Sequence, residues 1–369
     1  RRARCAPADA TVAALRAFAA RQRGAEDAVP LLGARAFPAS EALAVHRPGW
    51  MLVWKGIRER QPPPEVGLNG DLMQGWWLGY GDHYLLRHVD AYAAILPVLD
   101  WQRLPGVVVG SRERPKWQRS SRVGQLAHDG LGIASQHFND KHVRVRSSCF
   151  ILDDQVLVLG ADADNARRVT IDQCLQRAPV RRLAADGGPT AEIERATTAT
   201  VAVGDWVLHA GVGYQCLAGG PMRVTVAERR GSWHRINNNF SAEELSASVL
   251  LLELDLTDRS AFAYRLVPQA DAPGWSSSAP GARIVVNESE HQVVATDDGR
   301  ILAVFHRPGA VAIGARRIAV DQPCLCLITE QAVAVARLKP EAGAITVADG
   351  ARRIRLATAG DGTTVTAGW

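Results

Sequence analysis

The chain has 369 residues, 47% apolar and 22% charged, with a formal net charge of +5. That is the composition of an ordinary globular protein, long enough for two or three domains and a sizeable core. The small positive excess favours an anionic partner, and no apolar run reaches the roughly 18 residues needed to span a bilayer as a helix.

The first residues, RRARCAPADA, contain no Met and no signal peptide, and the chain is read as a fragment or a processed form. Residues 8–24 predict a helix: alanine is dense, Asp9 or Thr11 can cap the start, and Gly24 stops it. A second helical piece is expected near 25–34. After about residue 42 helical periodicity disappears, and short β-branched runs alternate with Gly, Asp, Asn and Pro. Strands are expected at 50–58, 142–151, 155–160, 199–203, 206–210, 222–227, 248–255 and 261–267. Asp153-Asp154 makes 142–160 a hairpin. Many strands with frequent turns and no intervening helices predict a large antiparallel sandwich. The run ADAPGWSSSAPG (270–281) reads as a linker or a long loop. Shorter strands follow at 283–286, 291–295, 301–306, 310–313, 324–329, 332–338, 344–347, 352–357 and 363–366, as a smaller β-domain.

Six cysteines fit neither a zinc site nor a redox pair, and are expected as buried free thiols. Cys324 and Cys326 should share one strand face. The basic run Arg103 to Arg122 also holds Arg112, Arg114, Lys116 and Arg119. It is either a solvated loop or a polyanion-attracting surface; no nucleic-acid motif accompanies it. The sequence contains no G-x-S-x-G, H-E-x-x-H, P-loop or dinucleotide fingerprint, and the histidines lack metal-ligand spacing.

The segment Glu65–Gly106 is the most unusual. Glu65 and Asn69 approach one another on a turn after Pro62-Pro63-Pro64, where they either bind a sugar or form an exposed loop. Trp76 and Trp77, on a strand, would face opposite ways: one into the core, one free to stack on a sugar ring. Arg58 and Arg60 alternate onto one face, to pair with anionic sugar groups or with Glu59 or Glu65.

Several blocks, in order, resemble polysaccharide lyase family 8, the family of hyaluronate, chondroitin AC and xanthan lyases. HRPGWMLVWKGIRER (His46 to Arg60) is like the strand that leads to the family's Glu and Asn. EVGLNGDLMQGWWLGYGDHYLL is similar to E-x-x-N-x-E-N-x-x-G-W-Y-x-x-D-G-x-x-Y-L-Y, and LDWQRLPGVVV to W-x-x-L-P-G-T-T. RVRSSCFILDDQVLVLGADAD, VTIDQCL, GSWHRIN, AFAYRLVP and SEHQVVA followed by ILAVFHRPG continue the likeness.

The resemblance implies a mainly β fold: a central galactose-mutarotase-like supersandwich (41–282) and a C-terminal β-sandwich (283–369). Residues 1–40 would be a remnant of an α/α toroid, with Arg2 or Arg4 a vestige of an arginine pair. It implies a secreted or periplasmic lyase that cleaves a uronic-acid polysaccharide by β-elimination, without metal or organic cofactor. The partner would be that anionic polysaccharide, with no nucleic acid, no membrane and a monomeric state. In the family the proton-moving Tyr, a His and a carboxylate-binding Asn sit in the toroid. They lie upstream of residue 1, so the fragment would be inactive alone. Asn69 matches the family's sandwich-side Asn. Glu65 stands four residues before it rather than three. Asp71, Leu72, Tyr80, His83 and Cys149 depart from the pattern. The resemblance and the residues together make Asn69, Glu65, Arg58, Arg60, Trp76 and Trp77 the candidate substrate-binding set. A non-catalytic carbohydrate-binding sandwich is the alternative.

Overall fold

The strand Val156–Asp164 shows how the core is built. Val156 and Val158 enter one apolar cluster, and Leu157 and Leu159 another. Side chains alternate across a strand, so this one is buried on both faces. The computed structural model describes residues 31–59, 64–88, 90–111, 120, 122–140, 143–188, 190–273, 275–277 and 281–369. The helix expected at 8–24 lies outside them, as do Arg2, Arg4, Cys5 and Arg60. Gly33–Trp369 makes one compact unit.

Among the described residues there are 28 strands and a single α-helix, Asp90–Ala93. Every strand pairing is antiparallel, as short, turn-linked strands allow. At the centre is a nine-stranded sheet that includes Val123–His128, Leu131–Asp140, Val143–Ile151, Val156–Asp164 and Phe262–Val267. One face shares a core with a five-stranded sheet (including Arg168–Leu175, Met222–Gly231 and Leu245–Asp255) and a four-stranded sheet (Gly33–Phe37, Ala42–Arg47, Trp50–Lys55, Asp82–Leu86). The other face packs Leu126, Ile133 and Phe150 against Leu302, Val304 and Leu327 of a six-stranded sheet. That sheet in turn packs on a second four-stranded sheet, Gly309–Ile313, Arg316–Val320, Ala342–Asp349 and Arg352–Ala359.

The mainly β sandwich architecture is therefore the one expected. Leu152 N–H donates to Gln155 O at 2.8 Å, closing the hairpin around Asp153-Asp154. Cys324 and Cys326 share one face in one core, while Leu325 and Leu327 fill the other. The five described cysteines are buried free thiols. The expected helical piece near 25–34 meets a strand at Gly33–Phe37, registered against Ala42–Arg47. The stretch 270–281 is anchored where it is described: Ala270 N–H donates to Gly211 O at 2.8 Å, and Trp275 meets Trp206 edge-on at 5.4 Å.

Candidate functional site

A tight turn, Leu68–Gly70, presents Asn69. Its φ of 53° is left-handed, a conformation that Asn tolerates better than most residues. Gly67 N–H donates to Asp71 O at 2.8 Å, closing the loop on itself. Glu65 and Asn69 both stand exposed on it.

This loop is clamped by a second one, residues 232–241, far away in sequence. Asn238 N–H donates to Gly70 O and Met73 N–H to Ile236 O, both at 2.8 Å. The Asn237 amide donates to Asp71 Oδ1, and the Asn239 amide to Asn69 O at 3.5 Å. Gly70 is needed here: a Cβ on it would lie 3.0 Å from Asn238 Cβ. The second loop carries Trp233 and Phe240, packed edge to face at 6.3 Å and exposed by 36% and 56%.

Trp76 and Trp77 are placed differently from the expectation. Gly75–Trp77 is a 3-10 turn, not a strand, so Trp76 and Trp77 do not face opposite ways. Trp77 is 2% exposed and meets Tyr80 edge-on at 5.7 Å, and Trp76 is half-buried against the same core. Arg58 is also a correction. It is 7% exposed, with Nε 2.6 Å from Glu41 Oε1, and it donates to Val123 O. The guanidinium is turned into the core, where the Glu41 carboxylate is a partner. Of the run Arg103 to Arg122, Arg103 is held by Asp100 and Glu253, and Arg122 donates to His306 O at 2.8 Å. Arg112, Arg114, Lys116 and Arg119 lie outside the described residues.

In the strand Asp82–Leu86, buried polar groups hold the frame. Gly79 N–H donates to Asp82 Oδ1 at 2.6 Å, yet burial pushes that carboxyl up to about 6. Burial pushes the His83 imidazole down to about 4. Neither side chain reaches solvent. Among the described residues no group of three or more His, Cys, Asp or Glu is arranged to hold a metal ion.

The sequence reading missed Trp233, Asn237, Asn239 and Phe240. Their signal was three consecutive asparagines, which favour turns over strands, bracketed by two aromatics.

The super-sandwich domain of polysaccharide lyase family 8 matches residues 32–279, and the family's C-terminal beta-sandwich domain matches 283–349. The chain belongs to polysaccharide lyase family 8. It is 24% identical over 302 residues to a chondroitinase-AC of Pedobacter heparinus, and 26% identical over 332 residues to a hyaluronate lyase of Thermasporomyces composti. These alignments span 76% and 80% of this chain, but only 42% and 40% of those family 8 relatives. A chondroitinase AC lyase solved with oligosaccharides shares the fold, with a TM-score of 0.81 at 20% identity, over 91% of this chain and 54% of that one.

Proposed function

We propose that this chain is the β portion of a lyase that cleaves a uronic-acid polysaccharide by β-elimination. One observation carries the assignment of the site: the Asn69 loop is built by a second loop that sets an exposed aromatic pair beside it. Exposed ring faces next to hydrogen-bonding amides suit a sugar, whose CH face stacks and whose polar groups bond.

The chemistry follows from the substrate. The C5 proton of a uronate is weakly acidic, because its removal places negative charge on a group that is already a carboxylate. Donors aimed at that carboxylate stabilise the developing enolate. Asn69 is the sandwich-side donor we assign to that carboxylate, in addition to the toroid Asn that the family resemblance implies, with Glu65 orienting a sugar hydroxyl and Trp233 and Phe240 stacking. A base removes the C5 proton, an acid protonates the departing glycosidic oxygen, and a C4–C5 double bond results. In this reading the proton-transfer groups belong to the opposite wall of the cleft. We assign Arg58 and Trp77 to the frame, and Trp76 to the loop's support. No helix among the described residues is long and apolar enough to cross a membrane. We place the protein outside the cytoplasm, where such polymers are met.

The test uses the enzyme that contains this chain, with chondroitin, hyaluronan and xanthan, and follows absorbance of the unsaturated uronate. Asn69→Gly removes the amide while accepting the left-handed backbone. Its kcat/KM should fall by about 10²–10³, with an unchanged melting temperature. Full activity of Asn69→Gly would remove this assignment. Binding without turnover of any uronate polymer would favour the non-catalytic sandwich instead.

A further inference from the structure

The outward face of the five-stranded sheet carries a second polar cavity that shares no residue with the Asn69 loop. Its volume is about 210 Å³, and Arg167, Arg168, Arg223, Glu253 and Asp255 line it. Strand register explains the grouping: Arg223 lies opposite Glu253, and Arg168 opposite Asp255.

Glu253 is the unusual member. Its side chain is 5% exposed, and Oε2 accepts from Arg103 Nη1 at 3.0 Å. Oε1 has no hydrogen-bond partner; Arg168 Nη1 is 3.9 Å away, beyond hydrogen-bond range. A buried carboxylate oxygen without a donor is unfavourable, and on a cavity wall it can accept from a ligand hydroxyl. The cavity wall carries three guanidiniums, of which Arg167 and Arg223 are exposed. Asp255 is engaged by the Thr257 N–H and hydroxyl, which hold its carboxyl below the usual range. The lining keeps one net formal positive charge. An adjoining cavity of about 470 Å³ shares Arg167 and Thr257, so a ligand can extend beyond one unit.

We propose that this cavity is a separate binding site for an acidic sugar unit, its sulfate or carboxylate held by Arg167, Arg168 and Arg223 and a neighbouring hydroxyl by Glu253. Guanidinium forks match the paired oxygens of either anionic group, and the unsatisfied Glu253 oxygen selects a sugar over a bare anion. The site would hold an acidic polysaccharide away from the Asn69 loop. The choice of polymer rests on the functional reading above; the site itself rests on this geometry.

The test is calorimetric titration of the chain with defined chondroitin sulfate oligosaccharides, and separately with inorganic sulfate. In Arg167→Gln/Arg223→Gln, oligosaccharide binding at this site should weaken about tenfold or more. Both side chains are exposed, so the melting temperature should not move. Arg223→Lys should restore part of the affinity, and Trp233→Ala should leave this class of sites intact. Native-like binding by the double glutamine variant overturns the proposal, as does binding of inorganic sulfate alone. Formation of unsaturated product by the parent enzyme is read independently. A failure here with product present leaves the lyase reading standing, and the reverse outcome leaves this site standing.

Discussion

Arg58 and Glu41 form a buried ion pair that also engages Gln125, whose amide donates to Glu41 Oε2 at 3.0 Å. Burial pushes the Glu41 carboxyl up, against the pull of Gln125, Arg58 and Lys55. The pair is therefore held by its geometry, and removing one member leaves the other charge stranded in the core. Arg58→Met should lower unfolding free energy by about 3–5 kcal/mol. Adding Glu41→Gln should recover part of that loss, because the stranded charge is gone. Urea denaturation of the two variants measures both steps. An Arg58→Met variant as stable as the native chain, but defective in sugar binding, would return Arg58 to the substrate set. Residue type alone does not distinguish these roles. Arginine serves carboxylates in substrates and in cores alike, and burial against Glu41 at position 58 decides between them.

At the scale of elements, the turn Leu104-Pro105-Gly106 ties two sheets together. Its carbonyl at Pro105 accepts from His83 N–H at 3.0 Å, while Gly106 N–H donates to Thr170 O at 2.8 Å. Gly106 has φ 84°, and a Cβ there would fall 2.4 Å from His83 Nδ1 and 2.6 Å from Gly81 O. Left-handed strain and overpacking against buried neighbours add, so Gly106→Ala should cost about 3 kcal/mol. A thermal melt reads this, and an unshifted melt would mean that the turn is not a structural tie. Such turns, and strands such as Trp50–Lys55, Val143–Ile151 and Leu245–Asp255, were legible, because β-branched alternation and Gly-Asp-Asn punctuation are local signals. Others were not: Gly33–Phe37 is short and alanine-rich, Asp82–Leu86 sits among glycines that read as turns, and Leu131–Asp140, Arg168–Leu175 and Val212–Ala218 mix polar residues or glycine into their apolar runs. The candidate site was half legible. The Asn69 turn announces itself in sequence, but its aromatic partners lie about 170 positions away and become neighbours only through backbone pairing with Gly70 and Met73.

For the whole molecule, buried histidines and aspartates set opposing responses to pH. Burial pushes His83, His137 and His209 each down to about 4. Stability from these groups is fully present above their unfolded value near 6.5, and is lost as pH falls through 4. Asp82 and Asp172 are pushed up to about 6 by burial, although the Tyr214 hydroxyl donates to Asp172 at 2.7 Å. Their contribution has the opposite sign: it is present below about 3.8 and lost as pH rises through 6. Each shift is worth about 3 kcal/mol at its limit, and the histidines are the more numerous. His306 adds to them. Burial and then Arg146 hold it well below its usual value, and it sits where the nine-stranded sheet meets the six-stranded one, with Arg122 bonded to its carbonyl. Acidification from pH 7 to 4.5 should therefore destabilise the chain, with the junction between those two sheets loosening first. Asp172→Asn removes one of the compensating carboxyls, so its stability should fall more steeply over the same interval. Chemical denaturation at a series of pH values measures the slope. A native chain that gains stability on acidification, or an Asp172→Asn variant with the native slope, would show that these buried groups do not govern it.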